Sequence, residues 1–494
     1  VTRRSLARDL AGLSLYGGVT AALWAVMPAI VRTHASMRLF VAVGAVGAWR
    51  YSWWLLHLVR AILYRSRVYP GLRAAAARAW DAGWRPRRLH ILVCSYHERP
   101  ETSRRVIRAL IDECLGAGVR ARVFLGGATP DEEAAFAADF AAHLPSDAIE
   151  LVLVSSGQPG KRRAMGLVLR AMRRAGVHPD DPVVFMDGDS VVRRGALRRC
   201  LPLLAIRPDV DALTTHEEAE VDGSPCFQAW MDVRFAQRHL MMHSHALSEK
   251  VLTLTGRFSI FRAKAAVTGE MIEAIEADHL HHWLWGSVPL LSGDDKSTWY
   301  TLVKRPGGAR MLYVPDAVVA TLETVEHGGL SRMSANVMRW SGNSLHNGGR
   351  ALALGPRQLG GFIWWCLLDQ RLAIYTSLLG LAALASHVAV GDLGFAWLYL
   401  AWVLTTRFLF SLPLQVVGGR VSAAWPLVIY LNQVASAVLK LYVLFHPGRQ
   451  RWVNRGNQNR DVLQAPWRRA LSLYLVCLHA AGIVVIRHLL EGLR

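Results

Sequence analysis

The sequence predicts an α/β fold, a doubly wound parallel sheet with helices on both faces, inserted between membrane helices at either end of the chain. Three observations carry that prediction. Strand-like and helix-like segments alternate through the middle of the chain. Apolar stretches of bilayer-spanning length gather at its two ends, and one short apolar run ends in two carboxylates spaced one residue apart.

Residues 10–31 and 39–63 each approach the ~20 apolar residues that span a bilayer, and neither has the short apolar core and small-residue cleavage site of a secretory signal. Arg3, Arg4 and Arg8 precede the first stretch, and Arg65, Arg67, Arg73 and Arg78 follow the second. Basic flanks favour the cytoplasmic side, so the N-terminus and the middle of the chain are expected there together.

In the middle, residues 89–95 read as a strand running into a loop over 96–100 that carries Tyr96 and Glu98. A helix over 107–115 stops at Gly116, a strand covers 122–125, a helix 131–142, a strand 149–154, and a helix 161–174 closes at Gly176. Then comes Val183-Val184-Phe185-Met186-Asp187-Gly188-Asp189-Ser190, a buried strand whose C-terminal end delivers both carboxylates to the crevice where open α/β sheets bind ligands. Asp187 and Asp189 are hard oxygen donors at a spacing that suits Mg²⁺ or Mn²⁺ beside a diphosphate. Lys161 follows Gly160 at a helix start, where anions are favoured. Residues 251–261 read as another strand, interrupted by Thr255-Gly256-Arg257. Gly293-Asp294-Asp295 is an acidic turn that opens a helix, and Arg339-Trp340 lies in a basic helix with Arg332.

Beyond Trp340 the chain turns apolar again. Residues 362–368, ending in Asp369, Gln370 and Arg371, suit a helix lying in the interface, and spans are expected over 372–390, 395–417 and 470–489. Residues 421–445 carry a polar stripe of Asn432, Gln433, Ser436 and Lys440. Crossing there would put Arg449, Arg451, Arg455 and Arg460 outside, so this stretch is read as an amphipathic helix on the cytoplasmic face, leading to a basic loop over 446–460. Five spans result, with six as the alternative. Arg50 and Arg407 fall inside spans, where a cation is costly and marks a partner or an aqueous path. The domain boundaries are then 1–64, 65–328, 329–371 and 372–494.

The net charge is +20, from 57 Lys and Arg against 37 Asp and Glu. No zinc spacing, recognition-helix pattern or aromatic-basic interleaving is present, so the charge is assigned to cytoplasmic loops and an anionic substrate or product, with no nucleic acid partner. Six cysteines without a C-x-x-C pair fit reduced thiols. His243, His245, His279, His281 and His282 lack a completing spacing and read as core or surface residues.

In this order and at these separations, Asp187-Gly188-Asp189, Gly293-Asp294-Asp295 and Arg339-Trp340 resemble the Asp-x-Asp, Thr/Gly-acid-Asp and Q-x-x-R-W motifs of inverting family 2 membrane glycosyltransferases, the processive polysaccharide synthases. Residues 292–300 and Arg339-Trp340-Ser341-Gly342-Asn343 are most similar to catalytic subunits of alginate (mannuronan) synthases. The resemblance implies a GT-A-like domain in which Asp295, with Asp294 beside it, supplies the general base, and Arg339 faces the leaving diphosphate. It also implies that Asp189 and Asp187 hold Mg²⁺ or Mn²⁺, Tyr96, Glu98 and Lys161 meet the nucleotide sugar, and Gly256, Arg257 and Trp340 meet the acceptor. The implied reaction polymerises mannuronate from GDP-mannuronate into a β-1,4 chain and translocates this polyanionic polysaccharide across the bacterial inner membrane. Membrane lipids and a cyclic di-GMP-binding co-polymerase subunit are the implied partners. A synthase using UDP-sugars, or an inactive scaffold or transporter component, is the alternative. The chain departs from the family pattern twice: Asn336 stands where Gln is usual, and Phe124-Leu125-Gly126-Gly127-Ala128 lacks the acid usual after the second strand. Lys296 and Arg257 are the candidate cations for the sugar carboxylate.

Overall fold

The alternating middle of the chain folds as ten strands, eight of them in one sheet. The strands are β1 (Leu89–Cys94), β2 (Ala121–Gly127), β3 (Ile149–Ser155), β4 (Pro182–Asp187), β5 (Ser190–Val192), β6 (Ala212–Asp222), β7 (Phe258–Arg262), β8 (His279–His282), β9 (Gly286–Pro289) and β10 (Met311–Thr324). The computed structural model describes residues 3–30, 34–95, 97–127, 129–143, 148–158, 160–290, 292–325, 329–446 and 466–492.

The sheet order is β3-β2-β1-β4-β7-β6-β10-β5, with β8 and β9 forming a separate hairpin. β3, β2, β1 and β4 are parallel, and β1 and β4 are buried almost throughout, which is why both read as unbroken apolar runs. Beyond β4 the expected parallel sheet becomes mixed. β7 runs antiparallel to both β4 and β6, β6 and β10 pair in parallel, and β5 is antiparallel to β10. The cause lies in how the chain reaches β7. After the helix Pro225–Ala246 it returns along the cleft, so β7 begins beside Met186, at the C-terminal end of β4.

The strand expected over 251–261 is therefore confined to β7. Residues 251–257 stay irregular because their polar groups are used elsewhere. Trp299 Nε1 donates to Val251 O at 2.6 Å, Lys296 Nζ to Leu252 O at 2.8 Å, and Thr255 N to Thr214 Oγ1 at 3.2 Å. The helix Pro100–Ala117 also runs through Gly116 and ends at Gly118, which takes the left-handed conformation at φ +61° and donates to Leu115 O.

Among the described residues, five helices are long and apolar enough to cross a membrane: Leu6–Val26, Gly361–Ala389, Leu393–Gly418, Trp425–Leu444 and Pro466–Ile486. Two expectations change. The separate interface helix and span expected after residue 361 are one continuous helix, Gly361–Ala389, because Asp369 inside it is paired with Arg50 and needs no water-exposed break. The stretch read as an amphipathic surface helix meets the length and composition of a span, because its polar stripe turns inward. Asn432 accepts from Trp230 Nε1 at 2.9 Å and Gln433 donates to Ser377 Oγ at 3.1 Å, while Leu427, Leu431 and Val438 are exposed. A third changes too: the second N-terminal stretch, expected as a span, forms the helix His34–Leu63, which is not among these five. The basic loop over 446–460 lies, but for His446, outside the described residues.

A buried carboxylate holds the segment that follows Asp189. Glu113 accepts from Gly195 N at 2.6 Å and Leu197 N at 2.7 Å, at the start of the helix Ala196–Ile206. Replacing Glu113 by Ala leaves both donors unpaired in the interior. The expected cost is about 2 kcal/mol, read as a lower midpoint for thermal unfolding of the detergent-extracted chain; an unchanged midpoint would show that this cap carries no stability.

Candidate active site

Asp187 is the last residue of β4, and Gly188 makes the turn beyond it. Gly188 N donates to Cys94 O at 2.9 Å, and a Cβ there would lie 2.8 Å from that oxygen and 2.9 Å from Ser95 Cα. Only glycine lets β4 turn this close to β1, and the turn leaves Asp187 and Asp189 on one cleft.

Lys161, the first residue of the helix Lys161–Arg174, joins two motifs far apart in sequence. Its Nζ lies 2.6 Å from Asp187 Oδ1 and 2.8 Å from Asp294 Oδ2. Gly256 closes over this trio: a Cβ on it would stand 3.4 to 3.5 Å from Asp294, Lys161 and Asp187. Asp294 starts the helix Asp294–Val303 after Gly293, which is left-handed at φ +78° and whose Cβ would collide with Asn343 at 2.4 Å. Behind Asp294, buried Arg162 donates to Ser292 O at 2.9 Å and Ser297 Oγ at 2.8 Å, fixing the turn.

Burial pushes the Asp187 carboxyl up to about 6, with Asp189 and Asp294 adding to the rise and Lys161 opposing it. Burial acts against the Lys161 charge, yet Asp187 and Asp294 outweigh it and hold the ammonium well above its usual range. Burial likewise opposes the Asp294 charge, and Lys161 and Arg162 outweigh it, so that carboxyl sits below its usual value.

Asp295 is half-buried on the cleft, with Thr253 Oγ1 donating to its Oδ2 at 3.3 Å. Burial drives the neighbouring Lys296 down to about 8. Arg339 Nη2 donates to Asn336 Oδ1 at 3.3 Å, so the shorter Asn still reaches the arginine one helical turn on. Arg339 also feels the charges of Glu323, Asp295 and Asp187. Arg257 lies on the same cleft, where its Nη1 is 3.2 Å from the buried Glu217, which also takes Arg238 at 2.7 Å and the Thr255 hydroxyl. Trp340 stacks on Trp230, ring centres 5.9 Å apart and planes within 8°.

At the other end Glu98 lines the cleft mouth, and Tyr96 lies outside the described residues. His97 adopts φ +53°, uncommon for a residue with a side chain, and its N–H donates to Glu132 Oε1 at 2.7 Å. Where the second strand ends without an acid, Glu133 of the next helix packs so closely over Gly127 that a Cβ there would meet its Oε1 at 2.6 Å. The whole cleft, about 760 Å³, runs from His97 and Glu98 past Asp295 and Trp340 to Gln370 on the helix Gly361–Ala389.

All described site residues read from the sequence thus meet in one cleft. Sequence reasoning missed Glu217, Trp230, Arg234 and Arg238, of which the last three lie on the helix Pro225–Ala246. Their signal is present in hindsight, since positions 230, 234, 238 and 245 recur at helical spacing with an unusual mix of Trp, Arg and His. Of the histidines read as core or surface, His243 and His245 are buried, and His279 and His281 are exposed. His245 lies with His57 and Cys366 in a buried group whose ligand atoms fall within 4.8 Å, a grouping no spacing reveals. Arg60 stands close to all three, which disfavours a cation there.

A family model described as glycosyltransferase like family 2 matches residues 86–343. The chain is 36% identical over 456 residues to glycosyltransferase alg8 of Pseudomonas syringae pv. tomato, covering 91% of this chain and 90% of that one. It is 33% identical over 439 residues to glycosyltransferase alg8 of Azotobacter vinelandii, covering 88% of each. Among solved structures, a mannosyltransferase from Pyrobaculum calidifontis in complex with GDP-Man and Mn²⁺ superposes with a TM-score of 0.47 at 18% identity, over 80% of this chain and 99% of that one.

Replacing Lys161 by Met strips two buried carboxylates of their shared cation. Both then hold protons more tightly folded than unfolded, so the variant is expected to melt higher at about pH 5.5 than at about pH 8, losing stability as the pH rises. The wild type, with Lys161 supplying the charge, should show a smaller difference. Equal melting of the variant at both pH values would mean that the ion pairs do not form.

Proposed function

The chain belongs to the family 2 glycosyltransferases and its catalytic domain has their GT-A-like fold, and on that premise we propose that it polymerises mannuronate from GDP-mannuronate into a β-1,4-linked alginate precursor and passes the chain through its own membrane helices. One observation carries the reading. Asp295 stands in a single cleft between a carboxylate–lysine cluster suited to a nucleotide diphosphate and a tryptophan-lined end that reaches Gln370 on an apolar helix. Mannuronate as the sugar is supported by the similarity of residues 292–300 and 339–343 to alginate synthase subunits. It is supported too by two relatives named alg8 that match over about nine-tenths of their length.

In this reading Asp295 removes the proton from the acceptor hydroxyl, helped in alignment by Thr253. The freed oxygen attacks the anomeric carbon from the face opposite the diphosphate, the bond from that carbon to the diphosphate oxygen breaks, and an α-linked donor becomes a β-linked product. Arg339 faces the charge that develops on the leaving group. Lys161 screens it from the other side while tying Asp294 in place. Tyr96 and Glu98 meet the nucleoside, with Glu132 and Glu133 near the same end of the sheet. Gly256 and Arg257 border the acceptor, which stacks on Trp340.

Asp187 and Asp294 share one lysine and the charge of Asp189 also acts on Asp187, so three carboxylates stand against a single ammonium and a further cation fits the site. Asp189 and Asp187 would hold Mg²⁺ or Mn²⁺, both of which accept hard oxygen donors, and the ion would neutralise the diphosphate. Of the two cations expected at the sugar carboxylate, Arg257 is paired with Glu217 and Lys296 donates to Leu252 O, which leaves both partly committed. The basic flanks of the N-terminal helices support a cytoplasmic catalytic domain on a multi-pass inner-membrane protein, among membrane lipids, and a cyclic di-GMP-binding co-polymerase subunit is the expected regulator.

The test is polymer formation in membranes that contain the chain and its co-expressed partners. GDP-mannuronate with Mg²⁺ or Mn²⁺ should give polymer, a chelator should stop it, and either ion should restore it. Asp295→Asn should lower the rate by roughly 100-fold or more. Polymer only from a UDP-sugar would overturn the donor, and full activity of the Asn variant would overturn the base.

A further inference from the structure

The helix Pro225–Ala246 places one arginine where the cleft meets the apolar helices. The Arg234 guanidinium lies 5.1 Å from the ring centre of Trp230 and 5.0 Å from that of Trp340, on the tryptophans assigned to the acceptor end. Its Nη1 is 3.4 Å from Asn432 Oδ1, the oxygen that also accepts from Trp230 Nε1 at 2.9 Å. Asn432 belongs to the helix Trp425–Leu444, so this contact ties the cleft to the membrane region.

Four other cations around the cleft have carboxylates. Lys161 has Asp187 and Asp294, Arg238 and Arg257 share Glu217, and Arg332 has Glu323 at 2.6 Å. Among the described residues no carboxylate pairs with Arg234. Burial, with Arg238 adding to it, lowers its guanidinium to about 10. The stripe beyond Asn432 continues through Ser436, whose hydroxyl donates to the same Asn432 oxygen at 3.4 Å, to Lys440. Lys440 stands close enough to Arg234 and Arg50 for their charges to act on it, and no carboxylate among the described residues pairs with it either. Of these three, Arg50 alone has a carboxylate partner among the described residues, Asp369.

Arg234 and Lys440 are half-buried, and cations partly withdrawn from water without counter-ions are costly and persist where a ligand brings the missing charge. We propose that Arg234, with Lys440 behind it, is a carboxylate-binding subsite for the growing polyuronate, placed where the acceptor chain leaves Trp340 for the membrane helices. The inference rests on reading the chain as a uronate-polymer synthase. A guanidinium can stay stacked on an aromatic face while its edge takes a carboxylate with two parallel hydrogen bonds, and it sheds water more readily than an ammonium. Asn432 supplies a neutral oxygen that orients Arg234 without cancelling its charge. A neutral polysaccharide would cover both half-buried cations without supplying a counter-charge, so the subsite selects against it as well as for a polyanion.

The experiment uses the full chain in lipid nanodiscs with its co-polymerase, and measures binding of labelled β-1,4-mannuronate oligomers against the same oligomers with their carboxyls reduced to alcohols. Turnover of GDP-mannuronate is measured in the same preparation. The wild type should prefer the uronate by about 10-fold or more, R234Q should bring the two within about twofold, and R234K should keep part of the preference. K440M should lower it by roughly threefold and serves if R234Q does not accumulate. Wild type that turns over GDP-mannuronate yet binds both oligomers equally would overturn the subsite and leave the synthase reading standing. So would R234Q that keeps the full preference or, where it does not accumulate, K440M that keeps it. Wild type that polymerises only a neutral sugar would overturn both.

Discussion

The contact on which the cleft depends is the bridge from Lys161 to Asp187 and Asp294. It joins the end of β4, the start of the helix Lys161–Arg174 and the start of the helix Asp294–Val303, three pieces that the backbone alone would not hold in register. Both ion pairs are withdrawn from water, and breaking a buried pair by removing one partner typically costs about 3–5 kcal/mol, because it strands the charge left behind. The same contact sets the chemistry. Both members of the acidic pair line the cleft, but Asp294 is committed to Lys161, whereas Asp295 accepts from the Thr253 hydroxyl.

Around that bridge the cleft is graded from one end to the other. Carboxylates and a lysine gather at the C-terminal end of β4, where open sheets bind their ligands. Arg234 and Arg238 line the cleft from the helix Pro225–Ala246, Trp340 from the helix Gly329–Leu352, and Gln370 from an apolar helix. In the proposed reading, a substrate that enters as a nucleotide anion and leaves as a chain of sugars meets cationic and carboxylate groups, a flat aromatic face and an apolar helix within one cleft. The helix Trp425–Leu444 completes the arrangement by presenting Asn432 and Lys440 to the protein and Leu427, Leu431 and Val438 outward.

Much of the fold was legible in the chain. Local patterns suffice where a segment's environment follows from its own composition, so β1 to β4 and their helices appear close to where apolar runs and helical periods place them. Residues 251–257 were misread for the opposite reason. Their apolar content looks like a strand, but their backbone groups are claimed by Trp299, Lys296 and Thr214, which are distant in sequence. The stripe on Trp425–Leu444 was misread because periodicity reports that one face is polar and says nothing of whether that face meets water or protein.

The sequence by itself determined the composition of the site: Asp187, Asp189, Asp294, Asp295, Arg339 and Trp340 announce themselves by residue type and local spacing, because each motif is short and chemically unusual. Only the tertiary structure decided which of these groups touch. Lys161 reaches Asp294 across 133 positions, and Trp230 and Arg234 reach Asn432 across 202 and 198. Glu132 and Glu133 stand where the strand before them offers no acid. Such pairings arise from packing between distant elements, whose strength depends on burial and distance, and neither quantity is written in the order of residues along the chain.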